Sequence, residues 1–375
     1  MSPRPAAAAP PRVLAWPAYR KQAANPHAAL LADALRALDV AIADWTPLRA
    51  AVRPADLWHI HHPDTVVYPR GILPSLAGTV LFRGLLAVAR LRGTKIVWTI
   101  HDLGSNDGLH PRLERWFWRF FVPRVDAFIT LSDSVRELAR ARFPTLKNRP
   151  GFTVRHGHYR DAYPGSTSRA AARRALDLPD KATVLLNFGR IRPYKNVPHL
   201  LRMFQATPGA DLVLVLASQP YDAEIEAEVR EAAGDDPRVR LVLRWIAPEE
   251  VHRFFAAADL VVLPYRRILN SGAATLALTF GRRVLLPDMG AMRDLQQQFG
   301  RNWVRLYPGE LGPDDLVAAC GWAAEPPTEA PDLAGLDWTT LARQTLAVYQ
   351  AISGPAGAGV RPAETVVVGR SRRPT

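Results

Sequence analysis

"TVLLNFGRIRPYKNVPHLL", residues 183–201, is an apolar run that ends in a knot of fixed positive charge. The run "TVLLNFG" is short, β-branched at its start and closed by glycine, which reads as a buried strand. "VPHLLRMF" then resumes at helical spacing. Residues 189–195 are therefore the loop at the carboxyl end of a strand, where parallel sheets bind their ligands. Arg190 and Lys195 stand on either side of a Pro193–Tyr194 turn. Arginine offers a planar fork of donors and lysine a mobile point charge, and together they can hold a diphosphate. Cations at a leaving phosphate stabilise the charge that builds during group transfer. A solvated basic turn is the alternative.

Outward from this loop the same alternation repeats. "DLVLVLAS", "VRLVLRW", "DLVVLPY" and "RVLLPD" read as strands, with helices at "EIEAEVREAA", "PEEVHRFFAAA" and "GAATLALTF" between them. In the first half, "RVLAWPAY", "VAIADW", "DLWHIHHP", "KIVWTIHD", "DAFITLSD" and "FTVRHGH" are strand candidates, and the intervening segments are mostly helical. Such alternation predicts an α/β fold of two doubly wound parallel sheets, each covered on both faces. The chain's 375 residues suit two domains. The expected division is a tail at 1–11, a first domain at 12–165, a second at 166–338, a helix at 339–353 crossing back to the first, and a tail at 354–375. The two domains are expected to face a central cleft.

The formal net charge of +13 attracts phosphates, anionic lipid or nucleic acid. Only one cysteine is present, Cys320, which excludes an intramolecular disulfide and a cysteine-based structural zinc site. No signal peptide is visible at the start. "ILPSLAGTVLFRGLLAVARL" is lipid-like, but Arg83 and Pro74 interrupt it. A cytoplasmic protein is expected, soluble or peripheral on the inner face of the cell membrane. Residues 112–126 interleave arginines with aromatic rings; Arg115, Trp116, Trp118 and Arg119 are candidates for a membrane surface. The alternative is that part of these rings is core. No recognisable nucleic-acid module is present.

A second feature bears on the opening loop. "PYRRILNSGAATLALTFGRRVLLPD", residues 264–288, places a small-residue turn, Asn270-Ser271-Gly272, at the start of a helix. Ser271 or Asn270 can cap that helix, Gly272 admits a ligand to the backbone, and free N–H groups there bind phosphate. Taken with "NFGRIRPYKNV" and "PEEVHRFFAAADLVVLPYR", this order resembles the donor-binding half of GT-B glycosyltransferases. The nearest group is the family 4-like enzymes and their relatives in bacterial exopolysaccharide assembly. "NPHAALLADALRAL", "LWHIHHPD", "KIVWTIHDLG" and "DAFITLSDSVRELA" resemble the acceptor-side half, so the likeness covers roughly residues 12–350.

The resemblance implies a metal-independent hexosyltransferase without a bound cofactor. It would use a GDP- or UDP-sugar and a glycan or polyprenyl-linked acceptor. Arg190 and Lys195, with Gly189, would hold the donor diphosphate, and Asn270, Ser271 and Gly272 would add backbone contacts. Arg244, Trp245 and Ile246 match the region that borders the nucleobase. The chain departs from the pattern at one place: Ile268 and Leu276 stand where family 4 enzymes usually carry paired glutamates. Asp259 is expected to be structural.

On the acceptor side, "HIHHPD" places His62 and Asp64 at one strand end, and "TIHDLGSND" places His101, Asp102 and Asp107 at another. The spacing admits a metal site, which the resemblance argues against. His101 matches a cleft-facing histidine of the family, with a role in contacting the donor sugar or orienting the acceptor. An inverting reaction needs a general base; Asp102, Asp107, Asp64 and His62 are the candidates in that order. A nucleotide-sugar epimerase of the same architecture and a non-catalytic binding subunit remain as alternatives.

Overall fold

The computed structural model describes residues 10–20, 22, 26–66, 71–104, 110–325 and 327–353. The chain divides into two compact units, Met1–Gly157 with Gly335–Thr375, and His158–Ala334.

The first unit contains β1 (Arg12–Trp16), α1 (His27–Arg36), β2 (Ala41–Asp44), α2 (Pro47–Val52), β3 (Leu57–Ile60) and α3 (Ile72–Leu91). β4 (Lys95–Ile100), α4 (Pro111–Phe121), β5 (Ala127–Thr130), α5 (Asp133–Arg142) and β6 (Gly151–Thr153) follow. Among the described residues its sheet is six-stranded, in the order β2-β1-β3-β4-β5-β6, and every pairing is parallel. The order reverses direction at β1, the mark of a doubly wound sheet.

The second unit runs α6 (Arg169–Ala175), β7 (Thr183–Ile191), α7 (Val197–Ala206), β8 (Leu212–Pro220), α8 (Ala223–Ala233), β9 (Val239–Val242) and α9 (Pro248–Ala257). It continues with β10 (Leu260–Val262), α10 (Gly272–Thr279), β11 (Arg283–Pro287), α11 (Met292–Phe299), β12 (Val304–Tyr307) and α12 (Pro313–Ala324). Its six described strands are also parallel, in the order β12-β11-β10-β7-β8-β9. β7, the strand of the opening stretch, lies inside this sheet between β10 and β8.

The last helix among the described residues, α13 (Trp338–Ser353), belongs to the first unit and packs on α1. Trp338, Leu341, Ala342, Val348 and Tyr349 enter the same core as Leu35 and Leu57. Burial of each large side chain there contributes about 1.5–3 kcal/mol. The chain changes units at 157/158 rather than the expected 165/166, because Tyr159 is already buried in the second unit and its N–H donates to Thr279 Oγ1 at 3.1 Å. It returns at 334/335 rather than 338/339. Gly157 lies flat against the first unit's Trp338, where a Cβ would come within 2.5 Å of the indole.

Two local expectations are corrected. The strand read at "FTVRHGH" covers only Gly151–Thr153, and its histidines lie beyond it. β12 was not expected at all. Asp259, in contrast, is structural as anticipated. It accepts from Arg169 and Arg173 at 2.8 and 2.7 Å and from the Val184 N–H at 2.8 Å. Arg173 is fully buried and donates also to the carbonyls of Ala257, Asp180 and Ala182, which fastens α6 to the sheet.

Candidate functional site

In the second unit the charge knot is built by backbone geometry. Gly189 sits within β7 at φ +117°, a conformation that glycine adopts without strain. Asn196 takes a left-handed turn, φ 57°, and starts α7. Between them Lys195 folds back over the strand, so that a Cβ on Gly189 would lie 3.4 Å from its Nζ. Burial, then the neighbouring Arg192 and Arg190, lower the lysine to about 8. Arg190 and Arg192 both lie over the Tyr221 ring, 5.0 and 4.2 Å from its centroid. Three cations thus gather at the carboxyl end of one strand, and a diphosphate placed there would relieve their mutual repulsion. A cavity of about 460 Å³ opens on the far side of Arg192, between α7 and α8. Glu228 and Glu231 line it together with Arg192, Arg202 and Arg266.

Ser271 caps α10, accepting from the Ala274 N–H at 3.1 Å. Its hydroxyl also meets the buried Tyr265 hydroxyl at 3.0 Å. With the hydroxyl committed twice, the turn offers a phosphate its backbone from Gly272 onward. Gly290 holds the preceding loop down: at φ +52° it passes so close that a Cβ would sit 2.5 Å from the Ile268 carbonyl oxygen. Asn270 is half-buried beside the cap, while Leu276 is buried in the middle of α10. The Arg266 N–H donates to the Tyr194 carbonyl at 2.9 Å, which ties this loop to the charge knot.

Arg244, Trp245 and Ile246, expected to border the nucleobase, follow β9. Glu250 holds Arg244 through two short bonds, 2.8 and 2.7 Å, and accepts from the Ala247 N–H at the start of α9. The Arg244 bonds pull the glutamate down to about 2. Ile246 is buried and Trp245 is about half exposed.

In the first unit the strand ends of β3 and β4 bring histidines together. His59 is buried and fully bonded, with Nδ1 at 2.7 Å from the Tyr349 hydroxyl and Nε2 at 2.6 Å from Thr99 Oγ1. Burial lowers it to about 3. His61 Nδ1 meets His101 Nε2 at 3.1 Å, and the His62 ring stacks on His101 at 4.7 Å. His27 lies 5.4 Å from His101 and 4.4 Å from His156, ring to ring. Burial first, then the neighbouring imidazoles, hold His27, His61 and His101 well below the ordinary histidine value. These rings are neutral at pH 7, so His101 is a weak proton acceptor and fits an orienting role better than that of a base. Asp102 follows it at the end of β4, and Asp64 is buried in the turn Pro63–Val66. Asp107 lies outside the described residues. Among the described residues no group of three or more His, Cys, Asp or Glu is placed to hold a metal ion.

One expected surface residue is corrected. Trp118 is buried, donates from Nε1 to Glu114 at 3.0 Å, and packs on Trp98 and Phe143. Arg115, Trp116 and Arg119 are exposed. Sequence reasoning missed Arg192, Tyr221 and Tyr265. Arg192 was within reach, since residues two apart on a strand share a face with Arg190.

The family model described as "Glycosyltransferase Family 4" matches residues 11–157, which ends where the first segment of the first unit ends. The one described as "Glycosyl transferases group 1" matches residues 182–325. Over 360 residues the chain is 30% identical to a "GDP-mannose:glycolipid 4-beta-D-mannosyltransferase" of Xanthomonas campestris pv. campestris, covering 94% of this chain and 96% of that protein. The chain belongs to the GT-B glycosyltransferases. The family assignment decides for transfer over the epimerase and binding-subunit alternatives.

A shorter likeness links this glycosyltransferase to a "Lipopolysaccharide 1,2-N-acetylglucosaminetransferase" of Salmonella typhimurium, 33% identical over 131 residues, 32% of this chain and 34% of that protein. Among solved structures, a glycosyltransferase from Rickettsia africae ESF-5 matches with a TM-score of 0.63 at 10% identity, over 91% of this chain and 97% of that one. Anabaena Alr3699/HepE, solved in complex with UDP-glucose, matches with a TM-score of 0.59 at 15% identity, over 91% and 95%. At these identities the structures speak for the fold.

Proposed function

We propose that this glycosyltransferase moves a hexose from a GDP-sugar to a lipid-linked glycan at the inner face of the cell membrane, in bacterial exopolysaccharide or glycoconjugate assembly. The observation that carries the donor reading is the cation group of Arg190, Arg192 and Lys195 beside Gly189 at the end of β7. The preference for GDP over UDP, and for a glycolipid acceptor, rests on the Xanthomonas relative. Lys195 and Arg190 bind the diphosphate and stabilise it as it leaves. The backbone at Gly272 adds donors, and Trp245 offers its face to the base.

That relative's name records a beta linkage. A β product from an α-linked nucleotide sugar requires inversion, hence a base that takes the acceptor hydroxyl's proton. Asp102 is our assignment for that base, with His101 orienting sugar or acceptor. The absence of glutamates at Ile268 and Leu276 fits this reading, since the retaining pattern they belong to is then not in use.

Calorimetric titration with UDP, GDP, ADP and dTDP at one salt concentration tests the donor. Preference for GDP supports the proposal and leads to GDP-mannose turnover on lipid-linked acceptors. Preference for UDP moves the donor class, and binding of none overturns it.

A further inference from the structure

Helix α3 faces the wrong way for water. Its inner side buries Ser75 and Thr79 completely, together with Phe82 and Leu86. Its outer side exposes Leu73 at 74%, Val80 at 55% and Leu91 at 88%. At about 100° per residue, Leu73, Val80 and Leu91 fall on one line, with Ala77, Gly84 and Ala87 beside it. Leu76, Leu81 and Val88 flank that line and are also exposed. A surface helix ordinarily shows the reverse pattern. The buried Thr79 hydroxyl is accommodated by the helix itself, donating to the Ser75 carbonyl at 2.7 Å.

The charge around this stripe is one-sided. α3 contains no acidic residue. Arg83 borders the stripe and lies over both Trp116 and Phe120, 4.0 Å from each centroid. α4 continues that border with exposed Arg112, Arg115, Trp116 and Arg119, while its one acidic side chain, Glu114, accepts from Trp118. α2, packed against α3, adds the exposed Leu48 and Val52.

We propose that α3 is the element that enters a membrane, lying in the plane of an anionic leaflet with Leu73, Val80 and Leu91 in the acyl region and the α4 arginines on lipid phosphates. The length of the helix, 20 residues, gives about 30 Å of apolar contact. It lies flat rather than crossing, because its inner face is part of the first unit's core. An anionic bilayer matches both the apolar stripe and the cationic border. A second copy paired with its α3 antiparallel would bring the arginine border against itself. The location rests on the membrane reading above; the test does not use its chemistry.

The test is flotation of the full chain with phosphatidylcholine vesicles, with and without phosphatidylglycerol, in the absence of donor and acceptor. The protein should float with the anionic vesicles and stay behind with the neutral ones. Leu73→Gln with Val80→Gln should lower binding by about tenfold or more, the scale expected for lost apolar burial. Arg115→Glu with Arg119→Glu should remove the dependence on phosphatidylglycerol. These positions are exposed, and unchanged thermal unfolding checks that the variants fold.

A label provides a second readout. Val80→Cys in a Cys320→Ser background, carrying a polarity-sensitive dye, should shift to the blue with anionic vesicles. No flotation, equal flotation of the Leu73/Val80 variant, or an unshifted dye each overturns the proposal. So does a dimer that the same variant dissociates, since a second copy then covers the face. Flotation without sugar transfer would keep this inference and sink the function; transfer by a protein that never floats would do the opposite.

Discussion

In the proposed function, Lys195 is where one residue controls the chemistry. Its ammonium is lowered to about 8 by burial and by Arg192 and Arg190. In the free protein its charge is present below that value and lost as pH rises through it. A bound diphosphate stabilises the charged form and raises the value again. Nucleoside diphosphate affinity should therefore fall from about pH 7 to about pH 9, with proton uptake on binding near the upper end. Calorimetry in buffers of different ionisation enthalpy measures both, and Lys195→Arg should flatten the dependence because arginine stays charged. At neutral pH, Arg190→Ala and Lys195→Ala should each weaken binding by about 1.5–3 kcal/mol. Unchanged affinity in both removes the assignment. The Arg190–Lys195 spacing was legible because it lies within one loop. Tyr221 was not, since it reaches the two arginines only through the pairing of β7 with β8, where Ile191 lies opposite Pro220.

Among the elements, α10 depends on one hydroxyl. Ser271→Ala removes the cap and leaves the buried Tyr265 hydroxyl without its partner, so it should cost about 2 kcal/mol. Tyr265→Phe leaves the cap bond intact and should cost less. Urea unfolding of the two variants ranks them; the reverse order would mean that the tyrosine has a second role. Most elements were legible, for "TVLLNFG" and "DLVLVLAS" are continuous apolar runs, as strands buried on both faces must be. β12 was passed over because Arg305 interrupts a strand of four residues, Val304–Tyr307. In α4 the composition misled and the phase did not. Trp116 and Trp118 are about 200° apart around a helix and cannot both face a membrane. For α3 the sequence shows only that the helix is apolar, and which side turns inward is decided by its packing on α2 and α4, with Phe82 set against Trp16, Trp45 and Phe117.

At the scale of the whole molecule, the histidines that burial drives down lie in the first unit. His27, His59, His61, His101 and His156 are neutral when folded and free to charge when unfolded. The stability they permit is intact above the unfolded value near 6.5 and is lost as pH falls from there towards their folded values. Each contributes a slope of up to about 1.4 kcal/mol per pH unit. On acidification below about pH 6 the first unit should melt before the second. Tryptophan fluorescence and limited proteolysis can follow the two transitions, and simultaneous melting would contradict it. The two-sheet plan was legible from the repeat of strand and helix. The early switch at Gly157 was not, because it depends on Tyr159 finding Thr279.

The bond from His59 to Tyr349 joins positions 290 residues apart, and it has a consequence for synthesis. The first unit is translated first, yet its core lacks Trp338, Leu341, Val348 and Tyr349 until the last helix leaves the ribosome. The second unit has all of its own strands by then and is free to fold ahead of it. Maturation order is then expected to reverse birth order. A chain stopped after Ala334 should carry a finished second unit behind a first one still open to proteases and chaperones.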